Sequence, residues 1–387
     1  MSTLRRILGR ISVLMQGTTF LACLALILLA QTSYASQRVM LQNDSNGRMM
    51  YFNLDESGKV KNTTRGDGWD FVSDWIPGAS WKMTGLQESP HPSVPTRLMF
   101  RNSDDNKIVF WALTPEGKLM NRTQGQGWDY ISEDSLPSKW RMVTLQRNAD
   151  SKGNDHMLFH NSESGKIAYW KITSDGIIKN RTQGDGWDYL SDDLTMETTW
   201  SPILIQKNAD RTGHDHLLWY STSEKLFCFW KLDENGKLLN PFKGNGWDIV
   251  SDWKVEPKWR LVSVQLDADR NGSDHLLFHE KESGKVVYWK LDSTGKLKNR
   301  ILGDGWNYIS TNMTASSPWT FSALEQGADQ QGADHLLWCN TDNGKLAYWK
   351  LNQEGVLKNS TKDDGWGNIA PWQVAPSWRI TAVYDMK

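Results

Sequence analysis

Beyond residue 35 the apolar residues fall in short runs broken by turn formers, and no stretch sustains a helical period. The clearest stretch opens on a strand-like segment at residues 259–265. A loop from Asp267 to Asp274 follows, then an apolar run at 275–279 and a turn at Ser283-Gly284. A second run occupies 285–291, Gly295 marks a second turn, and 296–300 reads as a fourth strand. The stretch closes on the tag Gly303-Asp304-Gly305-Trp306. Runs such as Val286, Val287, Tyr288 and Trp289 show no apolar–polar alternation, so these strands are expected to be buried on both faces, as in sheets stacked face to face.

The same order recurs along the chain. The tag tryptophans are Trp69, Trp128, Trp187, Trp247, Trp306 and Trp366, at steps of 59, 59, 60, 59 and 60 residues. Every copy carries Gly at the second turn (Gly58, Gly117, Gly176, Gly236, Gly295, Gly355), where a hairpin loop calls for positive φ. Six four-stranded antiparallel sheets around an axis make a six-bladed β-propeller; an open solenoid is the alternative. The phase of the repeat separates them. The pattern begins with a second strand near Arg38 and ends with a lone first strand at residues 378–384. An open array would leave both edges bare. In a ring the C-terminal strand completes the first blade, so a closed all-β propeller over residues 36–387 is expected.

Composition narrows the class. Arg5, Arg6 and Arg10 precede an apolar run at 20–30 and small residues ending at Ala35, which reads as a secretory signal peptide over residues 1–35. Beyond it, 41 basic residues face 45 acidic ones, without the positive excess of a general nucleic-acid binder. A secreted or periplasmic chain with no membrane span after cleavage is expected. Cys228 and Cys339 sit apart in apolar stretches and read as buried thiols, not as a disulfide.

The segment 259–291 resembles the FG-GAP or VCBS repeat, with its Trp-led strand, Asp/Asn-Gly loop, apolar strand, Ser-Gly turn and strand ending in Trp. The resemblance covers nearly the whole chain after the signal. It implies a propeller, an extracellular setting and a binding role, although the family's usual ring has seven blades. It also implies Ca²⁺ at loop positions one, three, five and nine. Here Asp267, Asp269 and Asn271 match the first three, with Asp274 nearby, but His275 stands at the ninth, where a hard cation wants oxygen. His156, His216 and His335 stand there in three further repeats. Only the Asp267 loop approaches a Ca²⁺ site, and no cofactor is otherwise required. Elsewhere Asp reads as a cap for loop N–H groups, and the histidines as packed residues hydrogen-bonded to their loops.

The 22 tryptophans all follow residue 68 and pose the functional question, since large aromatics either fill cores or stack on ligands. The first-strand set, such as Trp140 and Trp200, and the third-strand set, such as Trp230 and Trp289, read as packing. The tags offer a flat indole, glycines that permit close approach and a polar neighbour able to accept a sugar hydroxyl. The candidate ligand residues are therefore Trp69, Asp70, Trp128, Asp129, Trp187, Asp188, Trp247, Asp248, Trp306 and Asn307. They are expected in loops on one face. Gln87, Gln146, Gln206 and Gln265 end first strands and are expected at the channel mouth. No nucleophile-elbow, zinc-protease or phosphate-loop motif is present. The reading is a secreted lectin-like propeller. A protein-binding propeller, in adhesion or as an adaptor, and a carbohydrate-active enzyme are the alternatives.

Overall fold

The computed structural model describes residues 37–88, 93–150, 152–329 and 331–385; the segment read as a signal peptide lies outside these. Among the described residues there are six four-stranded antiparallel sheets and no helix. Blade 3 is typical, with strands Trp140–Gln146, Asp155–Asn161, Ile167–Ile172 and Trp187–Tyr189 in that order across the sheet. Blade 2 precedes it at residues 81–130, and blades 4, 5 and 6 follow at 200–249, 259–308 and 319–368. Blade 1 takes its first strand from the C-terminus. Trp378–Asp385 pairs with Gln37–Asn43, setting Trp378 opposite Asn43 and Tyr384 opposite Arg38. The ring is closed as the repeat phase requires.

The first strands form the innermost circle, each in contact with the first strands of both neighbouring blades. Each carries a register irregularity in its middle, as between Met142 and Thr144 or Leu261 and Ser263, where one residue has no partner. Such bulges increase local twist, which suits strands wrapped around an axis. The second strands are the most buried, as in Asp155–Asn161, where every residue is buried. Six apolar clusters hold the molecule together, each spanning one junction. One joins Leu158 and Tyr169 of blade 3 to Leu217, Trp219 and Trp230 of blade 4. Burial on both faces is thus the reason the strands read as apolar runs.

One element differs from the expected assignment. Residues 296–300 are not a strand; only an isolated bridge, Leu291 to Leu297, forms there. The tag itself is the fourth strand, with Trp306 opposite Trp289 and Tyr308 opposite Val287. It has one neighbour and forms the outer edge of the blade. The flanking glycines, which suggest a loop, instead build the turn that reverses the chain into it.

Candidate functional site

Each tag is locked by its own turn. In blade 3, Asn180 Oδ1 accepts from Thr182 N at 2.7 Å, and its amide donates to Asp185. A Cβ on Gly186 would come within 1.7 Å of the Asn180 carbonyl oxygen, so only glycine fits. Trp187 Nε1 then donates to Arg181 O at 3.0 Å. The bond recurs from Trp69, Trp128, Trp247, Trp306 and Trp366, each to the carbonyl six residues earlier. The variable tag residues Asp185 and Asp304 are held by Lys179 and Lys298 at 2.5 and 2.7 Å. They are part of the turn. The indoles are partly exposed, and Trp69, Trp128, Trp187 and Trp306 meet the aromatic ring two residues on edge to face, at 5.7–5.9 Å. These are rigid aromatic surfaces on the outer strand, not tips of loops on a face.

The polar partners serve the junctions between blades. Asp188 is buried and receives Lys237 of blade 4 at 2.6 Å; Asp248 receives Lys296 of blade 5 at 2.6 Å; Asp70 receives Lys118 of blade 2. Burial would push the Asp188 carboxyl up, but Lys237, the Tyr189 N–H and the Gln183 amide together hold it below the usual range. Asp129 bonds Gln124 at 3.0 Å and the Tyr130 N–H at 2.8 Å, and Asn307 bonds the Tyr308 N–H at 2.8 Å. The structure brings each of these polar residues beside its indole, but turned to its own sheet and, for Asp70, Asp188 and Asp248, to the next blade.

Two further expectations are corrected. Gln87, Gln146, Gln206 and Gln265 do not stand free at a channel mouth, although Gln87 lines a cavity of about 740 Å³ at the first-strand ends of blades 2, 3 and 4. They are buried, and their amides donate to Asp155, Asp215, Asp274 and Asp334 of the following blade at 2.7–2.9 Å. A strand-end glutamine looks solvent-facing until the neighbouring blade is placed beside it. His156, His216, His275 and His335 are fully buried, but neither ring nitrogen has a hydrogen-bond partner. Each ring stacks on the third-strand aromatic, at 4.0–4.5 Å from Tyr169, Phe229, Tyr288 and Tyr348. Burial drives all four down to about 3, so they are neutral. The second-turn glycine of the next blade lies against each ring; a Cβ on Gly236 would come within 2.5 Å of His156 Nδ1.

The Asp267 loop is held together by its own acceptors. Asp269 Oδ1 accepts from Asn271 N and Ser273 N at 3.0 Å each, and Asp267 Oδ1 from Gly272 N at 2.7 Å. Asp274 Oδ1 accepts from Asp267 N at 2.8 Å, with Arg211 Nη2 at 2.7 Å, and Lys290 Nζ stands 3.2 Å from Asp269 Oδ2. Two cations beside these carboxylates and a neutral imidazole in the ninth place do not fit a Ca²⁺ donor set. Among the described residues no group of three or more His, Cys, Asp or Glu is placed to hold a metal ion. Asp150 caps its loop likewise, accepting from Lys152 N and Asn154 N. Cys228 and Cys339 are free and buried.

No family model matches the chain, and no curated protein matches it. Solved structures do. A quinonprotein alcohol dehydrogenase-like protein from Bacteroides thetaiotaomicron is 12% identical with a TM-score of 0.40, over 93% of this chain and 70% of that one. Oligopeptidase B from Leishmania major is 7% identical with a TM-score of 0.41, over 91% of this chain and 49% of that one. An exo-β-1,3-galactanase from Clostridium thermocellum is 14% identical with a TM-score of 0.34, over 89% of this chain and 64% of that one. This chain thus spans about half the length of the oligopeptidase and about two thirds of the galactanase. Likenesses at this level bear on neither ligand nor chemistry.

Proposed function

We propose that this chain is a secreted or periplasmic propeller that binds glycan without catalysis, its repeat being of the FG-GAP/VCBS type. The observation that supports the reading is the set of tag indoles, partly exposed on outer strands and fixed by a bond to their own turns. A preset flat aromatic face suits the apolar face of a sugar ring, because stacking then orders no side chain at the moment of binding. The tag carboxylates contribute by fixing the blades, and the indoles contact the ligand. Several similar surfaces on one ring make binding multivalent, so a glycan surface binds far more tightly than a free sugar.

A glycan array with the full propeller tests this, with competition by free monosaccharide. Binding that is competed, is lost in stages as Trp187→Ala and Trp306→Ala are combined, and survives in Trp187→Phe supports the reading. An array with no competed signal, or one untouched by these changes in folded protein, overturns it and leaves protein docking ahead.

A further inference from the structure

The connection from each blade to the next carries a plug in three of six cases. The sixth residue after the tag tryptophan is Trp75 in blade 1, Trp253 in blade 4 and Trp372 in blade 6. Trp75 stacks on Trp111 of the next blade at 5.7 Å and 16°, and its edge meets Trp128 at 5.7 Å. Trp253 does the same with Trp289, at 6.0 Å and 14°, and with Trp306. Trp372 lies against Phe52 at 5.8 Å. In blades 2 and 5 the pair formed by a third-strand and a tag aromatic is thus a seat for a flat ring, filled by the chain's own indole, whereas Trp372 meets Phe52 edge on.

Blade 5 has Asn312 at this place. The corresponding pair in blade 6, Trp349 and Trp366, lines a cleft of about 440 Å³ together with Met313, which packs against the same apolar cluster, and with Lys345, Lys362 and Asn368. That volume falls within the range of small-molecule sites. The connections after blades 2 and 4 carry acids that pair across the junction, Glu133 and Asp134 with Arg181, and Asp252 with Arg300. The connection after blade 5, residues 310–318, has no charged residue. Among the described residues neither Lys345 nor Lys362 has an ion pair. The acids beside Lys362 are taken, Asp363 by Lys59 at 2.6 Å and Asp364 by Lys358 at 3.0 Å.

We propose that the cleft between blades 5 and 6 is a subsite for a carboxylate-bearing pyranose, the uronic acid residue of an acidic glycan. The sugar's apolar face lies on the partly exposed indole of Trp366, since Trp349 beneath it is buried. Its carboxylate meets the ammonium groups of Lys345 and Lys362, and Asn368 takes a hydroxyl. This deepens the glycan-binding reading and rests on it.

The test is titration of the whole propeller with methyl β-D-glucuronide and with its neutral counterpart, methyl β-D-glucoside, by calorimetry. The glucuronide is expected to bind at least about tenfold more tightly, the worth of a charge-assisted pair. Lys345→Ala with Lys362→Ala should remove that preference and leave melting unchanged. Asn312→Trp restores the plug and should abolish glucuronide binding while the array signal that depends on Trp187 persists. Equal affinity for the two glycosides, a preference unaffected by the lysine changes, or glucuronide binding retained in folded Asn312→Trp overturns the proposal. So does binding of indole-3-acetate but neither glycoside, which would assign the cleft to an aromatic side chain of a protein. If glycosides bind here while the array signal fails, the tag reading falls and this one stands.

Discussion

Between blades 2 and 3, 3 and 4, 4 and 5, and 5 and 6, a buried glutamine amide donates to an aspartate of the next blade, buried at all but the last, where Asp334 is half-buried. At the two junctions that involve blade 1 the same positions hold other residues. Glu325 replaces the glutamine of blade 6, and Tyr384 that of blade 1. Glu325 faces the seam fully buried, neither oxygen has a hydrogen-bond partner, and its carboxyl is pushed well above the usual range, chiefly by burial. Tyr384 Oη instead accepts from Arg38 Nη1 at 3.2 Å, and Arg38 also donates to Pro115 O of blade 2 at 3.2 Å. Arg38 lies over Tyr51 where His156 stacks on Tyr169. One packing scheme therefore runs around the ring, while the polar chemistry changes where the chain ends meet. Six near-identical blades offer many wrong pairings, and a seam with its own residues favours the C-terminal strand over any other first strand.

The seam is broken most severely by removing residues 377–387. The strand Gln37–Asn43 then has a bare inner edge, and Arg38 loses Tyr384. Loss of cooperative melting, or aggregation, is expected; an unchanged melting temperature would contradict closure by this strand.

Acid strikes the histidine junctions next. The folded values of about 3 lie below the ordinary imidazole value, so the unfolded chain takes up protons that the folded one refuses. Stability is full above pH 6.5 and falls as pH drops through that value, by about 1.4 kcal/mol per histidine per pH unit. Four such rings cost about 5 kcal/mol at pH 5.5, so chemical denaturation should show a steep loss there. A flat profile between pH 7 and 5.5 would mean that the rings are not buried neutral.

A single glycine sharpens the comparison further. Gly236→Ala places a methyl against His156 at a φ of +72°, and about 2–4 kcal/mol of destabilisation is expected. Gly244→Ala, also at positive φ but with open space around it, should cost about 1 kcal/mol. Equal costs in thermal melts would show that the interblade contact contributes nothing.

The smallest effect is expected from Glu325→Gln, which should stabilise by about 1–2 kcal/mol at neutral pH. A carboxyl whose folded value is raised loses stability as pH climbs above its ordinary value, so the gain should shrink towards pH 4. A destabilised variant would mean that Glu325 has a partner at the seam.

The propeller was legible in the sequence because the repeat can be compared with itself: period, turn glycines and strand phase lie along the chain. Residues 296–300 look like a strand by composition, whereas Trp306–Tyr308 looks like a loop because Gly305 precedes it. Only pairing with Trp289 reveals the edge strand. The Gln206–Asp274 bond and the contact of Gly295 with His216 join residues of different repeats, so spacing within one repeat carries no trace of them. The same holds for Asp188 and Lys237. A sequence signal for that pair did exist: Lys59, Lys118, Lys237 and Lys296 follow second-turn glycines, while Ile177 and Val356 take the place next to Asp129 and Asn307.

Every junction is directional. One side of a blade offers a histidine or arginine to the second-turn glycine of the next, and four junctions add a glutamine-to-aspartate bond, so each contact is head to tail. In subunits such contacts produce rings when the rotation closes and filaments when it does not. A chain shortened by one whole repeat would retain complementary ends that no longer meet within one molecule. Its expected fate is polymerisation through those ends, with the covalent chain no longer setting the number of blades.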